Sequence, residues 1–142
     1  MSIISVNPYL HFNGTAQSAI QLYEHVLGAS TKEVVRLGDA GPDGRVAHSV
    51  LEIGGHTLMV ADTMSRSGGQ ARLPNQAVPL AGGVQVSLDF DDPTDLSQRF
   101  EALAAGGQVA FPLSDTFFSA KFGMLTDAFG IRWMFNCPNK KA

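Results

Sequence analysis

Histidine and acidic side chains are the residues of this sequence whose types could carry out proton transfer. His11 and His48 fall on predicted strands, and Asp62 and Asp89 stand near the ends of two further strands. A pair formed by His48 with either aspartate could serve as general acid and base, because imidazole changes its protonation state near neutral pH. A hydrogen-bonded structural histidine is the simpler alternative, and it is the one we favour.

The remaining reactive residues have no chemical partner nearby in the sequence. His25 falls on a predicted helix and His56 follows a turn glycine, so we expect both side chains to face solvent. Cys137 lies in "NCPN", which offers no neighbouring base, and a nucleophilic thiol needs one. As the only cysteine it cannot form an internal disulfide, which fits a reducing compartment.

The elements that must position these residues begin with a strand, a helix and three more strands. Ile3–Phe12 is rich in β-branched and aromatic residues and predicts a strand. "NGT" then predicts a turn and helix N-cap, and Gly28 ends the helix. The helix should bury a face with i, i+3, i+4 spacing made of Ala16, Ala19, Ile20, Tyr23, Val26 and Leu27. "TKEVVRL" predicts the next strand, and "RVAHSVLEIGGHTLMVAD" two strands joined by a glycine hairpin.

The second half repeats that order after a stretch rich in glycine and proline, which predicts a linker or flap. "VQVSLDF" predicts a strand, and "DDPTDLSQRFEALAAGG" a helix with proline in its first turn. "QVAFPLSD" predicts a strand, and "FFSAKFGMLTDAFGIRWMFN" two strands around a glycine turn. The boundaries are module one at 1–64, the linker at 65–82 and module two at 83–138.

The two halves align in register at both ends. "VNPYLHF" lies on "VQVSLDF", and Gly28 then falls on Gly106 without a gap. The last strands share a phrase, "GHTLMV" and "GIRWMF", that places Met59 on Met134. A match at both ends of each module indicates duplication of a βαβββ unit.

Two βαβββ modules in this length resemble the vicinal oxygen chelate superfamily, which includes glyoxalase I, extradiol dioxygenases and bleomycin-resistance proteins. The pattern F-G-x-x-x-D-x-F-G-x-x-W, from Phe122 to Trp133, is similar to the PhnB-like branch. The resemblance implies an α+β fold in which curved mixed sheets form a cup. Some members of that branch carry a demethylubiquinone methyltransferase label. We discount methyl transfer because no glycine-rich nucleotide loop follows the first strand.

The resemblance also implies where a metal would bind. In metal-dependent relatives each module supplies one ligand from its first strand and an acid from its last strand. The repeat register places these positions at Asn7, Met59, Gln85 and Met134. Two thioethers and two neutral amides do not suit a hard divalent ion, so we expect no metal and no cofactor.

The cup should instead hold an organic molecule. Alternation in "VQVSLDF" puts its apolar residues on the helix side and its polar residues on the cup side, and alternation in "IRWMF" puts Arg132 and Met134 on the cup side. One of Phe117 and Phe118 must also face the cup. The expected ligand-binding residues are Asn7, Tyr9, His11, His48, Met59, Gln85, Phe118, Lys121, Arg132 and Met134. Lys121 and Arg132 could hold an anionic group, or they could simply be solvated charges at the sheet edge.

The bulk composition excludes several classes of protein. The 142 residues carry a net charge of −3 with no internal basic cluster, which argues against a nucleic-acid partner. No apolar stretch approaches the roughly 20 residues that a membrane helix needs, and no signal peptide pattern is present. We therefore expect a soluble, cytoplasmic protein.

Three functions compete. The leading hypothesis is a metal-independent small-molecule-binding protein. An enzyme of the lyase, isomerase or dioxygenase type with altered ligands is the second, and a structural or regulatory dimer is the third. We expect a homodimer in which module one of one chain shares its cup with module two of the other, because pairing covers an open sheet edge and an exposed concave face.

Overall fold

The computed structural model describes residues 2–36, 45–63, 83–115 and 119–138. The chain divides into two compact units, Met1–Arg72 and Leu73–Ala142. The division falls inside the segment 65–82 for which the sequence predicts a linker. That segment and residues 37–44, whose composition "GDAGPDG" predicts a loop, lie outside the described residues.

Unit one contains one helix and one four-stranded sheet, which we call sheet one. Its elements are β1 (Tyr9–Phe12), α1 (Ala16–Leu27), β2 (Ser30–Arg36), β3 (Val46–Ile53) and β4 (His56–Asp62). The strand order is β1-β4-β3-β2, with β1 parallel to β4 and the other pairs antiparallel.

Unit two has the same plan, with one helix and a second sheet that we call sheet two. Its elements are β5 (Val86–Asp89), α2 (Pro93–Ala104), β6 (Gln108–Ser114), β7 (Ser119–Thr126) and β8 (Arg132–Pro138). The order β5-β8-β7-β6 again places a parallel pair at one edge. The predicted α+β fold of two βαβββ modules with mixed sheets is confirmed, and neither sheet closes into a barrel. Neither described helix is long and apolar enough to cross a membrane.

The repeat in the sequence is reproduced in the strand pairing. Tyr9 pairs with Met59 across β1 and β4, and Ser87, its counterpart, pairs with Met134 across β5 and β8. Each doubled phrase begins at a glycine with positive φ, 84° at Gly55 and 95° at Gly130. Such backbone conformations favour glycine because it lacks a Cβ. The glycine that opens each phrase is therefore the residue that its turn requires.

Each helix covers one face of its own sheet. All six residues predicted for the buried face of α1 are buried, and Gly28 ends that helix in the left-handed conformation. Helix α2 buries Leu96, Phe100 and Leu103. The ring of Phe100 meets that of Phe135 on β8 at 5.3 Å. Burying each such side chain contributes about 1.5–3 kcal/mol. Within each unit, no helix among the described residues covers the opposite side of the sheet, and we call that side the helix-free face.

A buried aspartate organises the start of α1. The side chain of Thr15, predicted as part of the N-cap, makes no capping hydrogen bond. Asp62 at the end of β4 supplies the acceptor: its Oδ1 accepts from the backbone N–H groups of Gly14 at 2.7 Å and Ala16 at 3.0 Å. Its Oδ2 accepts from Val46 N–H at 2.9 Å. The helix is thus capped from the adjacent strand, because helix N-termini leave donors that a nearby carboxylate can satisfy.

A second buried aspartate organises the β7–β8 turn. The sequence predicts that Asp127 bonds backbone amides in a turn, and its Oδ1 accepts from the N–H groups of Phe129 at 2.9 Å and Ile131 at 3.0 Å. Its Oδ2 also accepts from Nε1 of Trp133 at 2.9 Å, a contact that the sequence does not predict. The carboxylate therefore links the β7–β8 turn to Trp133, the last residue of the PhnB-like motif, whose first residue, Phe122, lies on β7.

The first strand of each module is shorter than predicted. Strand β1 begins at Tyr9, and residues 2–8 form no strand. Continuing the parallel ladder upstream would require Pro8 to donate an amide hydrogen towards Thr57, and proline has none. Ile3, Ile4 and Val6 are consequently 79%, 95% and 88% exposed. Val84 in module two is likewise outside its predicted strand.

Candidate functional site

Met59 and Met134 occupy equivalent central positions on the two helix-free faces. Met59 lies on β4 between Tyr9 of β1 and Val50 of β3. Met134 lies on β8 between Ser87 of β5 and Met124 of β7. Both methionines are half-buried, whereas their neighbours along each strand are buried beneath the helix. The structure therefore places these two predicted site residues on the faces expected from alternation.

An aromatic cluster lies on the helix-free face of sheet one. The Tyr9 ring stacks on His11 with ring centroids 4.5 Å apart. The Tyr9 hydroxyl forms a hydrogen bond with Nδ1 of His48 at 2.8 Å. Because β4 separates β1 from β3, this bond bridges across one strand. Three predicted site residues are thus brought together, and Tyr9 remains 38% exposed.

His48 and Asp62 do not form the acid–base pair that their residue types allow. Both carboxylate oxygens of Asp62 bind backbone N–H groups, and the side chain is 2% exposed. His48 bonds Tyr9 instead, a contact that depends on strand order and cannot be read from sequence spacing. Asp89, the other predicted acid, accepts from Nδ2 of Asn136 at 3.3 Å.

His48 is expected to share the cup face with Val46 and Val50 if β3 alternates strictly, and it does so only in part. His48 and Val50 are both half-buried, as residues of a helix-free face should be, but Val46 is fully buried. A bulge explains the difference, because Val35 pairs with His48 while the next residue, Arg36, pairs with Val46. The extra residue on β3 breaks the period of two that the sequence argument assumes.

The helix-free face of sheet two is mainly apolar at its centre and mainly polar at its ends, with Phe122 the apolar residue of one end row. Three rows of paired residues cross the sheet. The central row is Phe111, Met124, Met134 and Ser87, and the flanking rows are Gln108, Thr126 and Arg132 on one side and Ser114, Phe122, Asn136 and Asp89 on the other. The rings of Phe111 and Phe122 meet edge to face at 5.4 Å. Phe122 and Met124 are not among the predicted site residues, although alternation in "FGMLT" is the signal that places both on one face.

Lys121 does not share that face with Arg132. It pairs with Cys137, which is 1% exposed on the helix side, while its neighbour Phe122 pairs with Asn136. Its Nζ lies 3.9 Å from an oxygen of Asp115. The groove that Lys121 lines runs beside α2 and is otherwise formed by Pro93, Thr94, Ser97, Gln98 and Glu101. Strand parity therefore turns Lys121 towards the helix and away from the helix-free face.

The predicted amide contacts lie just outside the strands. Asn7 precedes β1, is exposed, and donates from Nδ2 to Oγ of Ser5 at 3.0 Å. Gln85 precedes β5 and is half-buried. Phe118, the remaining predicted site residue, lies outside the described residues, as does Phe117.

The side chains at the four family ligand positions do not fit a hard divalent ion. Thioether sulfur is a soft ligand and amides carry no charge, whereas Zn²⁺, Mn²⁺ and Fe²⁺ sites use imidazole, carboxylate or thiolate. Among residues 2–36, 45–63, 83–115 and 119–138, no three His, Cys, Asp or Glu side chains gather into a group that could hold a metal.

The family of the chain follows from its sequence as a whole. Residues 5–135 match the model of the Glyoxalase/Bleomycin resistance protein/Dioxygenase superfamily. The chain belongs to this superfamily. The predicted resemblance is confirmed.

Several proteins resemble the chain along nearly its full length. Protein YjdN of Escherichia coli strain K12 is 29% identical over 147 residues, covering 92% of this chain and 93% of YjdN. The crystal structure of PA1353 from Pseudomonas aeruginosa has a TM-score of 0.79 and 34% identity, with 96% of this chain and 98% of that chain covered. A PhnB protein from Bacillus cereus, whose name proposes a 3-demethylubiquinone-9 3-methyltransferase, has a TM-score of 0.76 and 23% identity over 94% and 99% of the two chains. At that identity the last likeness concerns the fold alone.

Proposed function

We propose that the protein binds a small organic molecule without a metal, using the helix-free faces of its sheets. The observation that carries the proposal is the position of Met59 and Met134. Each lies at the centre of a helix-free face, where metal-dependent members of the superfamily are expected to present an acid. A polarisable thioether adapts to irregular apolar surfaces, so these positions favour contact with a ligand over coordination of an ion.

The surroundings of the two methionines support an organic ligand. Tyr9, His11 and His48 add aromatic and hydrogen-bonding groups on sheet one, and Phe111 and Phe122 add aromatic surface on sheet two. Removing apolar surface from water contributes roughly 25 cal/mol per Å² before the costs of association. A ligand with a planar or apolar body would therefore gain most from these faces.

The experiment begins with mass spectrometry of small molecules that co-purify with the natively isolated protein. We expect Met134→Arg to abolish retention of the molecule, because a charged chain would occupy the centre of sheet two. Gln98→Arg, on the exposed surface of α2, is the matched control and should retain it. Circular dichroism must show that both variants are folded. If Met134→Arg kept the ligand with unchanged affinity, the assignment of this face would be wrong; if it unfolded, Met134 would be ordinary core.

Elemental analysis tests the absence of a metal separately. We expect Zn, Ni, Fe and Mn far below one equivalent per chain. Near one equivalent of any of them, lost on Gln85→Ala, would overturn the metal-independent assignment. We do not extend the methyltransferase name of the Bacillus cereus protein to this chain. Strand β1 of this chain leads through Asn13 and Gly14 into α1 without a glycine-rich nucleotide loop.

Proton-transfer catalysis is a second candidate function, favoured by one observation. The 2.8 Å hydrogen bond between the Tyr9 hydroxyl and His48 Nδ1 joins two groups that can exchange a proton, and Tyr9 is accessible. With a compound identified by co-purification, an enzyme should convert it and lose turnover on Tyr9→Phe and on His48→Gln. A binding protein should return the compound unchanged.

Homodimer formation and a cytoplasmic location complete the proposal. The exposed apolar side chains of Ile3, Ile4 and Val6 beside edge strand β1 support a partner copy, since such surfaces mark interaction sites. A monomeric mass in light scattering at micromolar concentration would count against the dimer.

The single cysteine, Cys137, is buried and free, which is compatible with a reducing compartment.

A further inference from the structure

The helix-free face of sheet two has a direction along its strands. On β8 the residues that share this face are Arg132, Met134 and Asn136, which alternate with the buried Trp133 and Phe135. Residues two apart on a strand are separated by about 6.6 Å, so Arg132 and Asn136 stand about 13 Å apart with Met134 midway. A molecule lying along β8 would therefore meet a cation, a thioether and an amide in that order.

The two ends of the face differ in charge. At one end, Arg132 lies opposite Thr126 in the strand register. A guanidinium can donate two parallel hydrogen bonds to a carboxylate, so this end favours an anionic group. Among the described residues, Arg132 is the only cation that the strand register places on this face, because Lys121 lies on the helix side. At the other end, the carboxylate of Asp89 accepts a hydrogen bond from Asn136 and favours a ligand group that also donates.

Between these ends lie polarisable and aromatic side chains. Met134 and Met124 are direct neighbours across β8 and β7, and the rings of Phe111 and Phe122 flank them. Sulfur contacts aromatic rings favourably, and aromatic pairs prefer offset or edge-to-face packing. The face thus offers apolar contact at the centre and opposite polarity at its two ends.

We infer that sheet two binds planar aromatic anions, with the anionic group at Arg132, the ring on Met124 and Met134, and a hydrogen-bond donor directed towards Asp89. This inference rests on the proposed function, because it names the chemical class that the same surface accepts. It further predicts the orientation of the bound ring, with its para position towards Asp89. A hydrogen-bond donor at the para position should raise the affinity, and a second anionic group there should lower it by repulsion.

The experiment uses four probe compounds and the full-length protein. Benzoate, 4-hydroxybenzoate, the neutral isostere benzamide and the dianion terephthalate are titrated, with binding followed by amide chemical shifts in ¹⁵N-labelled protein. We expect 4-hydroxybenzoate to bind more tightly than benzoate, and terephthalate more weakly. Benzamide should bind at least about tenfold more weakly than benzoate, since a hydrogen-bonded ion pair is lost. The shifted amides should belong to β7 and β8.

Variants of Arg132 sharpen the result. Arg132→Gln should remove the preference for benzoate over benzamide, while Arg132→Lys should keep part of it because the charge remains. Arg99→Gln is the matched control, since that guanidinium pairs with Asp95 on α2 at 2.9 Å and should not affect binding. Equal binding of benzamide and benzoate, unaffected by Arg132→Gln but abolished by Met134→Arg, would overturn the inference and leave the proposed function standing. Failure of all four probes to shift any amide of sheet two would also overturn it, and the proposed function would then be judged by the co-purified molecule alone.

Discussion

The two modules share strand order, pairing register and a central methionine, yet they secure the same elements with different side chains. Helix α1 is capped by Asp62, which lies 46 residues further along the chain than Ala16. Helix α2 is capped by Asp92, two residues before the amide of Thr94 that it accepts from at 3.1 Å. Module one joins its last two strands by two glycines, while module two uses the longer turn organised by Asp127. The two modules therefore share a backbone path and hold it with different polar contacts.

The helix-free faces have diverged in the same way. Sheet one presents a polar aromatic cluster of Tyr9, His11 and His48 beside Met59. Sheet two presents Phe122, with other apolar side chains, around Met134. A backbone can tolerate such exchange because a residue on the exposed side of a sheet does not need to fit a packed core. The two faces therefore present different chemistry.

The largest expected difference between the modules is in the capping aspartates. Asp62→Ala leaves three backbone N–H groups without their acceptor, two of them in buried surroundings, and should destabilise module one by about 4 kcal/mol. Asp92→Ala removes one exposed cap and should cost about 1 kcal/mol. Hydrogen exchange with mass spectrometry can measure each module separately. Equal losses of protection in the two variants would show that the Asp62 cap stabilises its module no more than the Asp92 cap does.

A glycine that only module two requires gives the next largest effect. Gly107 corresponds to Ala29 in the repeat, and a Cβ built on it would stand 2.1 Å from the backbone oxygen of Thr126. Gly107→Ala must displace the β7–β8 turn and should cost about 3 kcal/mol in urea unfolding followed by Trp133 fluorescence. The reverse exchange in module one, Ala29→Gly, should cost only about 1 kcal/mol. A stable Gly107→Ala variant with an unshifted midpoint would contradict the close approach.

The Asp127 turn offers a smaller effect that a double-mutant cycle can isolate. Asp127→Asn keeps one oxygen for the turn amides but sets an amide N–H₂ against Nε1 of Trp133, and should cost about 2 kcal/mol. In the Trp133→Phe background that conflict is absent, so the same change should cost about 1 kcal/mol less. Glu52→Gln is the matched exposed control: its partner Lys32 lies 3.5 Å away, and the change should cost less than about 0.5 kcal/mol. Additive effects of Asp127→Asn and Trp133→Phe on the free energy of unfolding would show that the two side chains are not coupled.

The smallest expected effect concerns Tyr9. Tyr9→Phe removes the hydrogen bond to His48 at a partly exposed site and should cost about 0.5–1 kcal/mol. The informative measurement is the ¹⁵N chemical shift of His48 Nδ1, which should change, while that of His25 on α1 should not. An unchanged His48 signal would mean that the bond is not formed in solution.

The regular elements were predictable because their signals are local. The buried face of α1, the left-handed Gly28 and the hairpin at Gly54 and Gly55 all follow from helical spacing or glycine chemistry. The turn function of Asp127 was also predictable from its place in the sequence. The length of β1 was not predicted, because its start depends on the register with β4. In that register the next ladder hydrogen bond would need an amide hydrogen, which Pro8 lacks.

The candidate site was predicted unevenly for the same reason. The helix-free positions of Met59 and Met134 follow from the repeat and a period of two, which the sequence carries by itself. The partner of His48, the role of Asp62 and the side on which Lys121 lies were decided only by the tertiary structure. Each depends on a bulge, a strand order or a contact across the sheet. Alternation fixes which residues share a face of one strand, but only packing determines which strands become neighbours and which buried donors a carboxylate must satisfy.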